Sequence, residues 1–129
     1  AESSRADVID SITQFLRPNH IHQVLIVSYE TFRIHAERFT KEGSCDLLIC
    51  DEAHRLKNGG TQTNKALDSL PCKRRILLSG TPLQNDLGEF YAMVSFCNPA
   101  VLGSPDDFNK YYARYILTAR EPEATDEEK

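Results

Sequence analysis

The 129-residue sequence predicts an open α/β domain with a mostly parallel sheet, on three observations. Three short apolar runs, Val24–Val27, Leu47–Cys50 and Ile76–Leu78, recur along the chain. None alternates apolar with polar, which is the pattern of strands buried on both faces, as in a parallel sheet. Segments of helical periodicity separate the runs, so crossovers rather than hairpins connect them. Each run also ends in polar residues: Ser28-Tyr29-Glu30, Asp51-Glu52 and Ser79-Gly80-Thr81. Those ends are where open α/β sheets bind their ligands.

The elements follow in order. Ser4-x-x-Asp7 resembles a capping box, with Val8, Ile12, Phe15 and Leu16 as the apolar stripe behind it. Phe32, Ala36 and Phe39 form a second stripe that ends near Gly43, and Thr63, Ala66, Leu67 and Leu70 form a third, stopped by Pro71. Asp86-x-x-Glu89 opens a fourth helix carrying Leu87, Phe90, Tyr91 and Val94, closed before Pro99. Ser104-Pro105 combines a cap with a first-turn proline. Behind it stand Tyr111, Tyr112 and Tyr115, for which core packing is the expectation and base stacking the alternative.

Composition sets the bounds. A hydrophobic content of 40% and a charged content of 26% are ordinary for a globular protein, and the length suits about one domain. No stretch approaches the ~20 apolar residues of a membrane helix, and the first residues lack the pattern of a signal peptide. Cys45, Cys50, Cys72 and Cys97 form no metal-type or redox pair, which fits a reducing compartment; Cys50 reads as a buried free thiol. A net charge of −4 argues against a protein that coats nucleic acid. The charge is uneven, though: residues 44–85 hold six basic side chains against four acidic, and 120–129 hold two against five. Any anion-binding face lies in the middle, and the end reads as an acidic tail.

The densest chemistry is in "LLICDEAHRLKN". A carboxylate at a strand end, Asp51, can reach a nucleotide-bound Mg²⁺, as the corresponding Asp of P-loop NTPases does. Glu52 beside it is placed to orient or deprotonate a water. By itself a strand-end Asp-Glu pair also serves as a helix cap. In "LLSGTPLQND", residues 77–86, Gly80 permits a tight turn while Ser79 and Thr81 offer hydroxyls at the next strand end.

Asp51-Glu52-Ala53-His54 resembles motif II, the DEAH form of the Walker B box, of helicase superfamily 2, and the second stretch resembles its motif III. "VSYETF", residues 27–32, is similar to motif Ib. With "SGTPLQNDLGEFYAMVSFCNP" and "LGSPDDFNKYY", nearly the whole chain resembles the SWI/SNF-type DNA translocases, closest to the Rad-fifty-four-like recombination-repair branch. The resemblance implies a partial RecA-like P-loop NTPase fold in three layers. Residues 1–103 would be the distal part of the first lobe, and 104–129 the start of a helical protrusion and the acidic tail.

It also implies roles. Asp51 would bind Mg²⁺, Glu52 would polarise the water, and His54 would contact the motif III segment, with Gln84 as its partner. Ser79, Gly80, Thr81 and Gln84 would face ATP, while Ser28, Tyr29, Glu30 and Asn85 would touch nucleic acid or couple to it. Arg55, Lys57 and Asn58 would either brace the segment after motif II or touch DNA. The implied cofactors are ATP and Mg²⁺. The implied partners are double-stranded DNA, a recombinase filament or nucleosomes, and the remainder of the same motor, in the nucleus.

One motif is missing. No G-K-T occurs; the only Gly-Gly, Gly59-Gly60, is followed by Thr-Gln. The resemblance puts the phosphate-loop strand before residue 1 and the second lobe, with its arginine finger, after residue 129. Such an arginine is worth ~10³–10⁵ in rate, so the isolated chain is expected to be inactive. Two other readings exist. A phospho-acceptor receiver domain would use Asp51 and Thr81, but needs an acidic pair where this chain has Ser28-Tyr29-Glu30. A non-catalytic protein-binding platform would need no chemistry at all.

Overall fold

In the computed structural model, residues 4–19, 21–56, 61–80 and 86–119 are described. Helix α1 (Arg5–Phe15) starts at the anticipated capping box: Ser4 accepts from the Asp7 amide, and the Asp7 carboxylate accepts from the Ser4 amide. Ser28 likewise caps α2 (Tyr29–His35), which tightens into a 3₁₀ turn, Ala36–Phe39. Strand β1 (Leu48–Cys50) is followed by a 3₁₀ turn, Ala53–Leu56, then α3 (Gln62–Asp68) and β2 (Arg75–Leu77). Helix α4 (Leu87–Cys97) is capped by Asp86. The last helical run is α5 (Pro105–Phe108), a π-type segment (Asn109–Ala113) and α6 (Arg114–Thr118). Ser104 and Asp107 form a second capping box, with Pro105 in the first turn.

β1 and β2 pair in parallel, Leu48 with Arg75, Ile49 with Ile76 and Cys50 with Leu77, so β1, α3 and β2 make one β-α-β unit. The apolar stripes meet on one face of this ribbon. Ile12, Phe32, Phe39, Cys50, Leu56, Leu67, Leu70, Cys72 and Phe96 form the core, with Leu25, Leu48 and Leu77 packed against it. Asn64 is a buried polar side chain whose amide donates to the Leu56 carbonyl at 2.9 Å, which fixes the turn after β1 onto α3.

Several expectations are corrected here. Val24–Val27 carries no regular secondary structure and joins no ladder; Val24 is 78% and Ile26 93% exposed, while Leu25 packs inward. A strand needs neighbouring N–H and C=O groups to pair with, and among the described residues only β1 and β2 supply a ladder. The strands are not buried on both faces either. Ile49 (55%) and Ile76 (43%), side by side in the register, are exposed, because the helices pack against the opposite face. The described part is therefore two layers, not three. The stripe foreseen on α4 is also displaced: Met93 and Phe96 are its buried residues, and Phe90 is exposed. This helix is apolar on several sides, so contact with β2, not periodicity, selects its buried face. Tyr111, Tyr112 and Tyr115 are exposed rather than packed in the core, although Tyr112 stacks on buried Phe108 with ring centres 5.8 Å apart.

Candidate functional site

The polar strand ends converge. Beyond the ladder, the Leu78 amide donates to the Cys50 carbonyl at 2.8 Å and the Ala53 amide donates to the Leu78 carbonyl at 2.9 Å. These two bonds bring the segment after β1 beside the segment after β2, so Asp51-Glu52 and Ser79-Gly80 share one edge of the ribbon.

Local chemistry shapes that edge. Ala53 is fully buried, so the chain must turn sharply inward immediately after the two exposed carboxylates. Glu52 makes the turn in the left-handed region, with φ of 51°. For a residue with a Cβ this costs about 1–2 kcal/mol. Asp51 offsets part of it: its Oδ1 accepts the Glu52 amide at 2.8 Å. The Arg55 amide closes the turn on the Glu52 carbonyl at 3.0 Å.

His54 Nδ1 lies 3.2 Å from Glu52 Oε2. That nitrogen is buried, yet it is not aligned for a hydrogen bond to any described atom. Gln84, its anticipated partner, lies outside the described residues, as do Lys57, Asn58, Thr81, Asn85 and the acidic tail.

Segment 28–30 approaches from the other side. The Tyr29 hydroxyl donates to the Asp51 carbonyl at 2.6 Å. Burial, then the nearby Cys50 thiol, push this hydroxyl well above its ordinary pKa, so it remains a donor. The Arg55 guanidinium lies 5.3 Å from the centre of the Tyr29 ring and forms an ion pair with Glu30. The backbone amide of Glu30, then Arg55, hold the Glu30 carboxyl below the usual carboxylate range. Ser28 spends its hydroxyl on the Thr31 amide (3.1 Å) and Thr31 hydroxyl (3.0 Å).

At the β2 end, Gly80 has no positive φ, and a Cβ built there would meet no heavy atom of the described residues within 4 Å.

One residue and one contact escaped the sequence reading. Arg75 sits inside β2 with only 10% of its side chain exposed; a cation directly before the apolar run Ile76–Leu78 was the available signal. The engagement of Tyr29 with Asp51 had no local signal, since 22 residues separate them.

The donor set fits one kind of metal. Among the described residues no three His, Cys, Asp or Glu side chains are grouped to hold an ion unaided. Asp51 keeps one carboxylate oxygen uncommitted to its own turn. A single carboxylate suits Mg²⁺, which keeps several waters and takes its other ligands from substrate phosphates.

Comparison with known proteins gives the family. The SNF2-related domain matches residues 6–128. The chain is 65% identical over 128 residues to the DNA repair and recombination protein RAD54 of Oryza sativa subsp. japonica, covering 99% of this chain and 13% of that protein. It is 62% identical to the Protein CHROMATIN REMODELING 25 of Arabidopsis thaliana over 99% of this chain and 14% of the relative. To RAD54 of Saccharomyces cerevisiae it is 49% identical, over 85% of this chain and 12% of the relative. The chain thus spans about one-seventh of the length of these relatives. On the strength of a match over nearly its whole length, the chain belongs to the SNF2-related domain family.

Proposed function

We propose that this chain supplies the carboxylate half of the ATP-hydrolysing site of a double-stranded-DNA translocase acting in homologous recombination and chromatin remodelling in the nucleus. The carrying observation is the shared edge, where Asp51-Glu52 and Ser79-Gly80 are stitched together by the Ala53–Leu78 bond. The names of the relatives, a DNA repair and recombination protein and a chromatin remodelling protein, support the cellular setting.

In this reading Asp51 holds Mg²⁺ through its uncommitted carboxylate oxygen. When bound, the ion neutralises charge on the phosphates. Glu52, exposed at the tip of the turn, orients the attacking water and accepts its proton, with His54 beside it. Ser79 and Gly80 line the approach of the nucleotide, joined by Thr81 and Gln84. Lys57, Asn58 and Asn85 belong to the coupling set with DNA. A phosphate-binding lysine and an arginine finger come from the remainder of the motor, so the 129 residues alone hydrolyse no ATP. A phospho-acceptor role finds no support, since Ser28-Tyr29-Glu30 stands where an acidic pair would be needed and Glu30 is engaged by Arg55.

The test is Glu52→Gln in a full-length motor. DNA-stimulated ATP turnover should fall by about 10²–10⁴-fold, the scale of a general base, with ATP still bound. Undiminished turnover would overturn the reading.

A further inference from the structure

The Asp51–Glu52 peptide group is held at both of its polar atoms by side chains. Its carbonyl accepts the Tyr29 hydroxyl at 2.6 Å, and its amide donates to Asp51 Oδ1 at 2.8 Å. The orientation of that one peptide plane sets ψ of Asp51 and φ of Glu52. Glu52 is one of only two non-glycine residues with positive φ among the described residues. A peptide free to rotate would relax toward the commoner negative-φ region and carry the Glu52 carboxylate with it.

Tyr29 is in turn held. Arg55 lies against its ring and pairs with Glu30, the next residue in α2. Arg55 also returns to the turn through its amide, bonded to the Glu52 carbonyl at 3.0 Å. Glu52 is therefore bracketed: Tyr29 fixes the peptide before it, and Arg55, anchored on the same turn of α2, fixes the one after.

We propose that Tyr29 and the Glu30–Arg55 pair are positioning residues that clamp the Asp51–Glu52 peptide and so aim the Glu52 carboxylate, rather than contacts to a nucleic-acid strand. The groups that segment 28–30 would offer a strand are already used. The Tyr29 hydroxyl is donated inward, its ring faces Arg55, and Glu30 is an anion that a phosphate backbone repels. Arg55 has its charge matched by Glu30, which removes it from the pool of phosphate-binding cations. Position of the carboxylate matters because a shift of about 1 Å at a reacting group can cost up to 10²-fold in rate.

This inference rests on the ATPase reading for its kinetic part only. The decisive variant is Tyr29→Phe in a full-length motor, which removes one hydroxyl and keeps the ring for Arg55. Three measurements are made. Hydrogen exchange of the peptide spanning residues 50–56, without nucleotide or DNA, should quicken about 10-fold. The DNA-stimulated kcat should fall about 10-fold. The Kd values for a fluorescent ATP analogue and for duplex DNA should stay within about twofold of wild type. Glu30→Gln should reproduce the same pattern more weakly, and it carries the test if Tyr29→Phe does not fold.

Unchanged exchange overturns the clamp, as does an unchanged kcat. A duplex Kd weakened about 10-fold assigns the segment to strand contact and overturns it too. A wild-type motor without ATP turnover refutes the proposed function instead, and the exchange measurement then decides the clamp alone.

Discussion

The guanidinium of Arg75 lies 4.6 Å from the centre of the Phe96 ring and donates to the Phe96 carbonyl at 3.2 Å. One side chain thereby joins β2 to the end of α4. The same guanidinium donates to the carbonyls of Leu67, Leu70 and Cys72 and to the Asp68 carboxylate. Carbonyls at helix C-termini have no intrahelical partner, and a buried cation both satisfies them and meets the negative end of the dipole.

Replacing Arg75 by Met keeps the volume but takes the side-chain donor from the Leu70, Cys72 and Phe96 carbonyls and leaves Asp68 without its partner. We expect a loss of about 3 kcal/mol, the usual scale for breaking a buried charged network. Arg75→Lys should recover less than half, because an ammonium cannot reproduce the fork. Urea unfolding of both variants checks this; a loss below about 1 kcal/mol would show the network to be dispensable.

Glu52 occupies a conformation that its own side chain disfavours. Glu52→Asn, a residue that tolerates the left-handed region, should raise stability by about 0.5–1 kcal/mol while abolishing ATP turnover in the full-length motor. A melting curve and a turnover assay on one preparation test both halves. A drop in melting temperature would mean that the carboxylate contributes more to the fold than its turn costs.

Among the described residues, nothing lies within 4 Å of where a methyl group on Gly80 would stand. Gly80→Ala should leave the melting temperature within about 2 °C, since surface changes away from packed features stay near ±0.5 kcal/mol. ATP affinity, by contrast, should weaken several-fold if nucleotide approaches this turn. Equal affinity would remove Gly80 from the binding set.

The thiols make a pH prediction. Burial pushes Cys50 and Cys45 up to about 11, and Cys72 adds to the effect at Cys45. At pH 8 each should therefore alkylate roughly 100-fold more slowly than in the unfolded chain, following its thiolate fraction. The sign for stability follows from proton counts. Between the ordinary thiol value of 9.0 and about 11, the unfolded chain has released protons that the folded chain retains. Stability from these groups is thus complete below pH 9 and is lost as pH rises toward 11. Urea midpoints at pH 7.5 and 10 check the direction, and the Cys50→Ser variant should show a shallower decline.

Much of the frame was readable locally. The Ser4–Asp7 and Ser104–Asp107 boxes, the stop at Pro71 and the two strands ahead of Asp51 and Ser79 stand where their patterns put them, because caps and periodicities act within a few residues. The Val24–Val27 run shows the boundary of that reading. Its apolar character was legible, but membership of a sheet depends on a neighbour, which no local pattern names. The same limit hid the exposed face of Ile49 and Ile76, since an apolar residue does not state what will cover it.

By itself, then, the sequence determined the order of the helices and of the two paired strands, the candidate carboxylates and the motif set, all encoded over a few adjacent residues. Only the tertiary structure decided how those carboxylates are held. The left-handed turn at Glu52, the hydroxyl of Tyr29 on the Asp51 carbonyl and the Glu30–Arg55 pair arise where α2 meets the end of β1. Contacts between residues more than twenty positions apart form only once packing of the core brings them together, so no local pattern could announce them.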